Sequence, residues 1–404
     1  MSHVIVINRF TGPFADYAAY LDHDTHHVTY VTIDAYLSAV PPTAAEVLLV
    51  ADLHDHATVR AALDPALDKY GPPALVVALH EQNHAVAVLL REEFDAPGPR
   101  TADVHRFLDK HDMLRAAEAV GVPVPEYALV TSRTELDAFA ARVGWPVIAK
   151  RLRGAGSTGV TRLDGPDQEI HASPDSPLVV QRYLPHTVLH VDGYYTGEKL
   201  GPWLASEYMN VPGSATVGPL AFTLGEAVGS VELDDPVRLA AVAEFLGRII
   251  PGMCAEPWVF HLELFLTPDN ECVFLEVARR PGGGEIPFVW REVHGIDLME
   301  LEFRLQCAEL PEVPEFGPAE PITGQLLVPA LADVPYRVTA APSMAGAPGL
   351  YAEVVPPVGT VVWNKISYMY AGGRFRFVGT DSRTVAVQVM DVAARYTVSS
   401  EPAD

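Results

Sequence analysis

The sequence predicts an α/β protein with an open parallel sheet at its amino end and a small α/β unit at its carboxyl end. Three observations carry this. Short β-branched runs alternate with Ala-rich helical stretches through the first hundred residues, the pattern of a parallel sheet with helices on its faces. From Tyr127 to Tyr183, strand-like runs follow one another closely. The last eighty residues mix strands with the helical "SRTVAVQVMDVAARY".

Taken in order, "HVIVI", "HHVTYVTI", "AEVLLVAD" and "PALVVAL" are the first strands, with helical stretches such as "ATVRAALDPALDKY" between them. "DAPGPR", 95–100, is a linker-like break. A single helix is expected around Val104 to Ala119, closed by Gly121 and by Pro123 and Pro125. "YALV", "PVIAKRL", "GVTRL" and "LVVQRY" are strands. "DDPVRLAAVAEFLGRII" and "GIDLMELEFRLQCAEL" are helices, and the Pro-rich "PEVPEFGPAEP" marks a boundary near 311–321. No internal repeat is visible. The expected division is 1–100, 101–185, 186–311 and 320–404.

A chain of 404 residues, 49% hydrophobic and 20% charged, has ample core for two or three domains. A net charge of −24 argues against nucleic acid or an anionic membrane as the main partner. Lysine is scarce: Lys69, Lys110, Lys150, Lys199 and Lys365 are all there are, so the position of each is informative. Cys254, Cys272 and Cys307 form no close pair, which fits a reducing compartment without structural disulfides. "MSHVIVINRF" reads as a first strand rather than a leader, because Asn8 and Arg9 cut the apolar run. No run reaches the ~20 apolar residues of a membrane span. The expectation is a cytoplasmic, enzyme-like protein.

"FHLELFLTPDNECVFLEVARRPGGG", Phe260 to Gly284, reads as a β-hairpin. With Pro268 to Glu271 as the loop, Thr267 faces Cys272, Phe265 faces Phe274 and Glu263 faces Glu276. Leu262, Leu264, Leu266, Val273, Leu275 and Val277 then share the opposite, core face. Like charges directly opposite one another are destabilising. A divalent cation between the two glutamates reverses that sign. Arg280 falls on the glutamate face and Arg279 on the other. A carboxylate pair, a metal and an arginine suit phosphate chemistry. The plain alternative is an exposed hairpin with two solvated glutamates.

"VIAKRLRGAGSTGVTRL" carries Gly154, Gly156 and Gly159 in a G-x-G-x-x-G spacing. A dinucleotide fingerprint needs a helix next, whereas "VTRL" is a strand. The loop therefore joins two strands, as a flap whose backbone N–H groups can close over phosphates. Lys150, just upstream, is either a snorkelling edge residue or a phosphate ligand, and the nearby loop favours the ligand. Lys110 on the preceding helix reads most simply as a solvated charge. "HEQNH", 80–84, matches H-E-x-x-H, but His80 ends a buried strand and the helix starts at or after Glu81. The two histidines therefore do not share a helix face, and a zinc hydrolase is not expected. The histidines of "HDTHH" and "LHDH" read as acidic, exposed loops, where solvation is favoured over surface metal capture.

An α/β amino-terminal unit is followed, in order, by "LDKHDMLRAAEAVGVPVP", "WPVIAKRLRGAGSTGV", "VVQRYLP", "HLELF" and "FLEVARRPGGG". This set resembles the ATP-grasp superfamily of ADP-forming carboxylate–amine ligases, and within it the L-amino acid (dipeptide) ligases. The resemblance covers residues 1–310 well. The final "VPPVGTVV…AGGRFRFVGTDSRTVAVQV" is similar to the carboxyl-terminal subdomain of those ligases.

The resemblance implies an ATP-grasp fold with the following roles. Lys110 and Lys150 hold ATP phosphates, and Gly154, Gly156, Ser157 and Gly159 form the phosphate loop. Gln181, Arg182, Tyr183 and Leu184 are the adenine hinge. Glu263 and Glu276 hold Mg²⁺ or Mn²⁺, Arg280 sits at the reacting phosphate, and Gly282, Gly283 and Gly284 offer N–H groups to a substrate carboxylate. Two positions depart from the family pattern. Ala278 stands where an asparagine often supplies a metal oxygen. No glutamate follows the hinge for the ribose, and His190 or Asp192 is expected in its stead. The implied reaction joins two amino acids through an acyl phosphate, giving an α-linked or γ-glutamyl product. Another ATP-grasp ligation, of the purine-pathway type, is the alternative. An intact Glu263–Glu276–Arg280 set argues against a non-catalytic nucleotide sensor. Small-molecule amino acids are the expected partners, with no nucleic acid and no membrane, and the resemblance allows a homodimer.

Overall fold

The computed structural model describes residues 1–403 except 13, 155, 158, 215, 314–320, 332–333 and 364–370. Alternation at the amino end produces β1 (Ser2–Ile7), α1 (Tyr17–Tyr20), β2 (His26–Thr32), β3 (Glu46–Leu49), α2 (His56–Ala62), α3 (Asp64–Tyr70), β4 (Leu75–Val77) and α4 (Glu81–Phe94). The strands form one sheet in the order β3-β2-β1-β4, parallel throughout. Both faces are covered: Val4, Val6, Val28 and Tyr30 pack on one side, and Ile5, Ile7, Val31 and Val76 on the other. That is why these strands read as unbroken apolar runs. The "ATVRAALDPALDKY" stretch breaks at Leu63, because Pro65 cannot supply the N–H that a continuous helix needs.

The single helix expected over Val104–Ala119 is two, α5 (Thr101–Leu108) and α6 (Lys110–Val120). Asp109 is extended (φ −104°, ψ 116°), and its carboxylate accepts the N–H groups of His111 and Asp112. An aspartate at this point caps a new helix rather than continuing the old one. The break makes Lys110 the first residue of α6. Gly121, left-handed at φ 84°, ends α6 as expected.

Next come β5 (Tyr127–Val130), α7 (Arg133–Val143), β6 (Val147–Arg151), β7 (Val160–Leu163) and β8 (Leu178–Arg182). They make an antiparallel sheet in the order β5-β8-β6-β7. The remainder holds β9 (Thr187–Tyr195), β10 (Leu200–Met209), α8 (Pro219–Thr223), β11 (Val228–Glu232), α9 (Pro236–Met253), β12 (Trp258–Leu266), β13 (Cys272–Ala278), α10 (Ile286–Glu292) and α11 (Leu298–Gln306). Beyond these lie β14 (Ile322–Val328), β15 (Tyr336–Ala340), β16 (Leu350–Val354), β17 (Val361–Val362), β18 (Gly373–Gly379), α12 (Ser382–Arg395) and β19 (Ser399–Pro402). Eight strands join in the order β13-β12-β9-β10-β11-β14-β18-β16, and β17-β15-β19 form a small sheet apart. The large sheet packs Leu262, Leu264 and Phe274 against Phe245 and Ile249 of α9. Elsewhere it packs Tyr194, Leu204 and Val259 against Ile286, Trp290 and Leu298. No helix among the described residues is long and apolar enough to cross a membrane.

One buried amide helps to dock the amino-terminal sheet, beside the packing of Met299 and Phe303 on it. Gln306 Oε1 accepts from Ala78 N at 2.9 Å, and Gln306 Nε2 donates to Ala78 O at 2.9 Å. The side chain thus pairs with the chain end of β4 as a neighbouring strand would. It also accepts from Arg91 Nη2 at 2.6 Å and donates to Glu302 at 2.7 Å. Gln306→Leu keeps the bulk but leaves buried polar and charged groups unpaired. It should lower stability by about 3 kcal/mol, read as a fall in the urea midpoint. An unchanged midpoint would show that the amide is dispensable.

Candidate active site

The hairpin of β12 and β13 places Glu263 directly opposite Glu276, but not by the expected loop. Thr267 joins the turn: its N–H meets Glu271 O at 3.0 Å, and Asn270 turns left-handed at φ 63°, which asparagine tolerates. Pairing starts at Leu266 with Cys272, not Thr267 with Cys272, and Phe265 faces Val273 rather than Phe274. A bulge at Leu275 absorbs the extra residue before the glutamates. The core face is corrected accordingly. Cys272 and Phe274 join Leu262, Leu264, Leu266 and Val277 in the core, and Val273 and Leu275 lie outside it.

Two lysines answer the paired carboxylates. Lys110, fixed at the start of α6, puts Nζ 2.9 Å from Glu276 Oε2. It is largely covered and ion-paired, not the solvated charge that the sequence suggested. Lys150, on β6, is only 7% exposed. Burial pulls its pKa down to about 8, with Glu276 opposing and Lys110 adding to the effect. Burial alone would raise the Glu276 carboxyl, but Lys110 and then Lys150 outweigh it and hold it at about 2. Glu263 goes the other way, pushed up by burial and then by the charge of Glu276. Tyr208 donates to Glu263 Oε1 at 3.0 Å. Among the described residues, Glu263 Oε2 and Glu276 Oε1 take no hydrogen bond. Two facing carboxylates, each with an oxygen to spare, are a donor set that fits a hard divalent cation.

Lys110, Tyr208, Glu263 and Glu276 line one cleft with Glu81, Arg280, Gly283 and Gly284, while Lys150 lies outside the lining and acts on Glu276 through its charge. The roof of the cleft is the loop between β6 and β7, represented by Gly154, Gly156 and Ser157, with Phe222 beside it. Gly154, Gly156, Ser157 and Gly159 all have positive φ. Gly159 lies outside the lining, and a Cβ on it would press within 2.9 Å of Arg151. Thr223 donates to Gly156 O at 3.0 Å and ties the loop to α8.

Arg280 Nε donates to Glu81 at 2.8 Å. Arg279 turns away, buried, with its charge acting on Glu302 and His84. Gly282 is packed so tightly that a Cβ there would fall 2.3 Å from Asp192 Oδ1. Gln181, Arg182, Tyr183 and Leu184, at the end of β8, do not line this cleft. Arg182 pairs with Glu126 at 3.4 Å, and the Tyr183 ring lies 4.5 Å from the Arg162 guanidinium. Gln181 is buried, and its Nε2 has no partner among the described residues. A buried donor left in this way needs an acceptor.

Several cleft residues were not foreseen. Glu81 was seen only as part of "HEQNH". His80 does cap α4 outside the helix, while Glu81 reaches Arg280. His190 and Asp192, one or the other of which was expected at a ribose, pair across the sheet with Glu263 and His261. Asp192 accepts from His190 at 2.7 Å and His261 at 2.8 Å. His190 continues to Ser230 at 3.1 Å, and Gln325 meets Ser230 at 2.9 Å. His190 and Asp192 share a strand face by simple alternation, the one signal that could have grouped them.

Because its carboxyl is raised, Glu263 costs stability once pH climbs above the ordinary glutamate range. That cost is absent below the range and grows up to the raised value. In a chelating buffer, Glu263→Gln should therefore be more stable than the parent at pH 8, by up to about 1 kcal/mol, with the gain shrinking towards pH 5. Denaturant unfolding at both pH values reads this. A loss of stability at pH 8 would mean that the two glutamates do not repel.

No family model matches the chain. Its sequence is 23% identical over 320 residues to an L-arginine-specific L-amino acid ligase of Bacillus subtilis, covering 76% of this chain and 75% of that one. The structure superposes on an L-amino acid ligase from Bacillus licheniformis with a TM-score of 0.76 at 14% identity, over 99% of this chain and 98% of that one. It also superposes on a carboxyaminoimidazole ribonucleotide synthase from Aspergillus clavatus complexed with ATP. There the TM-score is 0.71 at 14% identity, over 98% and 99% of the two chains. At such identities the superpositions speak for the fold alone. The fold is that of the ATP-grasp proteins, and the sequence is similar to that of an L-amino acid ligase.

Proposed function

We propose that the protein joins two amino acids at the expense of ATP. The observation that carries this is the facing pair Glu263–Glu276, with Lys110 and Arg280 at the same glycine-roofed cleft and the charge of Lys150 within reach of both glutamates. A carboxylate oxygen of one amino acid attacks the γ-phosphorus, the bond to the β-phosphate oxygen breaks, and ADP leaves. The amine of the second attacks the acyl carbon, and the carbon–oxygen bond to phosphate breaks. Phosphate departs with that electron pair, and the amine gives up a proton.

Each chain residue has a task in this reading. Lys110, Lys150 and the N–H groups of the glycine loop hold the phosphates. The unpaired Gln181 Nε2 and the Tyr183–Leu184 backbone, which lie outside the cleft lining, would receive the adenine. Glu263 and Glu276 would hold Mg²⁺, or Mn²⁺, which supplies charge neutralisation at the transferring phosphoryl oxygens. Arg280 steadies the tetrahedral carbon and the leaving phosphate. The Thr223–Gly156 bond keeps the roof shut and water out. Val228, Phe222, Pro219, Ile286 and Leu327 give the cleft an apolar side, which favours an apolar side chain on one substrate. Three unpaired cysteines support a reducing, cytoplasmic setting.

The test is mass spectrometry of nucleotide and product over a grid of amino acid pairs. ADP and inorganic phosphate should form only with a carboxylate substrate and increase with an amine, and hydroxylamine should trap a hydroxamate. Arg280→Ala should cut turnover by about 10² or more. Accumulation of AMP and pyrophosphate would overturn the site assignment. ADP formed only with bicarbonate or a purine precursor would overturn the amino acid reading alone.

Lys150 sets a pH dependence. With its pKa near 8 in the free protein, it must regain a proton to meet a phosphate above that pH. ADP affinity should be flat below about pH 8 and fall above it, by at most about tenfold per unit, with uptake of up to one proton. Calorimetry in buffers of different ionisation enthalpy measures this. Lys150→Arg, which stays charged, should lose the dependence, and its persistence in that variant would rule Lys150 out as the source.

A further inference from the structure

At the carboxyl edge of the amino-terminal parallel sheet, three side chains meet that the ligase reading leaves without a task. Arg9 follows β1, His54 lies in the loop after β3, and Gln82 is in the first turn of α4. Arg9 Nη1 reaches both His54 Nε2 and Gln82 Oε1, and those two atoms are 3.0 Å apart. His54 is held from behind by Asp52, whose Oδ1 meets Nδ1 at 2.8 Å. Among the described residues no carboxylate pairs with Arg9, and its Nε and Nη2 make no hydrogen bond. Those two N–H groups are the fork of a guanidinium that matches both oxygens of a carboxylate. The chain has 52 acidic residues against 28 lysines and arginines, so an arginine with no acid on its fork calls for an explanation.

The position suits a substrate. Open parallel sheets bind ligands outside the carboxyl ends of their strands. Gln82 adjoins Glu81, which lines the cleft and is taken up by Arg280. His80, one residue back, is pushed to a lower pKa by burial and then by the charges of Arg9 and Arg280, so both arginines lie within electrostatic reach of one imidazole. Phe10 packs on His80 with ring centres 5.6 Å apart, and Phe14 packs on Phe288 of α10 at 4.6 Å. The segment that carries Arg9 therefore runs from the sheet edge to the wall that presents Gly283 and Gly284.

We propose that Arg9, steadied by His54 and Gln82, forms a carboxylate subsite that holds a non-reacting carboxylate of an amino acid substrate, beyond the Glu81–Arg280 pair. This rests on the ligase reading. Two sources offer that group: the free α-carboxylate of the amine donor, and the distal carboxylate of an acidic acyl donor.

The experiment takes the amino acid pair that releases most phosphate and replaces each partner in turn by a neutral analogue. The analogue is the α-amide for the amine donor and the side-chain amide for an acidic acyl donor. The parent enzyme should prefer the acid over the amide by about 10- to 100-fold in kcat/KM in one arm, mostly through KM, the scale of a lost charged hydrogen bond. In Arg9→Gln that ratio should collapse towards one. Collapse in the amine arm assigns the subsite to the α-carboxylate, and collapse in the acyl arm assigns it to the distal one. Arg9→Lys, which keeps the charge but not the fork, should fall between, and it carries the test if Arg9→Gln does not fold. Parent turnover with the same acid-to-amide ratio in every Arg9 variant overturns the subsite alone. No amino acid turnover in the parent overturns the ligase reading and the subsite with it.

Discussion

Glu263 and Glu276 stand opposite each other on adjacent strands, Glu263 almost wholly buried and Glu276 partly so. Two like charges in that position repel unless something of opposite sign is supplied. Much of the surrounding structure supplies it. Lys110 is available because Asp109 ends one helix and caps the next, which points the first residue of α6 at Glu276. Lys150 is available because β6 runs along the inner side of a second sheet. Tyr208 offers its hydroxyl from β10. Three separate pieces of the fold thus converge on one pair of carboxylates. The depressed Lys150 and the elevated Glu263 are two signs of burial there.

The parts of the site that could be read from the chain are those held by short-range geometry. The hairpin was legible because its strands are neighbours in sequence, and the glutamates met as expected. The route to that meeting was misread: a longer turn and a bulge at Leu275 offset each other. The break at Asp109 was also written in the sequence, as an aspartate in a capping position, but the helical periodicity on either side masked it. Distance hid the rest. Glu81 and Arg280 lie 199 residues apart, and β9 finds β12 across α8 and α9. No local pattern announces that His190 and Asp192 sit behind Glu263. The "HEQNH" motif misdirects for the same reason, since its histidines serve the packing of the first sheet while its glutamate serves the cleft.

The run "RRPGGG" shows how one short stretch can answer several demands. Arg279 and Arg280 point to opposite sides of the chain, one into the interior beside Glu302 and one to Glu81. Gly282 lets the backbone lie against Asp192, which is itself clamped between two histidines. Gly283 and Gly284 then leave their side of the cleft open. A side chain at 282 would push on the Asp192 cluster before it ever touched a ligand.

The large sheet does not stop where the cleft residues stop. β14, β18 and β16 extend the ladder that begins with β13 and β12, so three strands from the last fifth of the chain are woven into the floor. The β5-β8-β6-β7 sheet contributes the roof without sharing a strand with that floor. Removing or exchanging the roof sheet breaks no ladder in the floor. Cutting the chain back from its carboxyl end strips β11 of a partner and bares an edge in the middle of the protein, where unpaired backbone groups invite association with other chains. The roof sheet is therefore a seam at which a chimera can be joined, and the carboxyl-terminal strands of the floor are not.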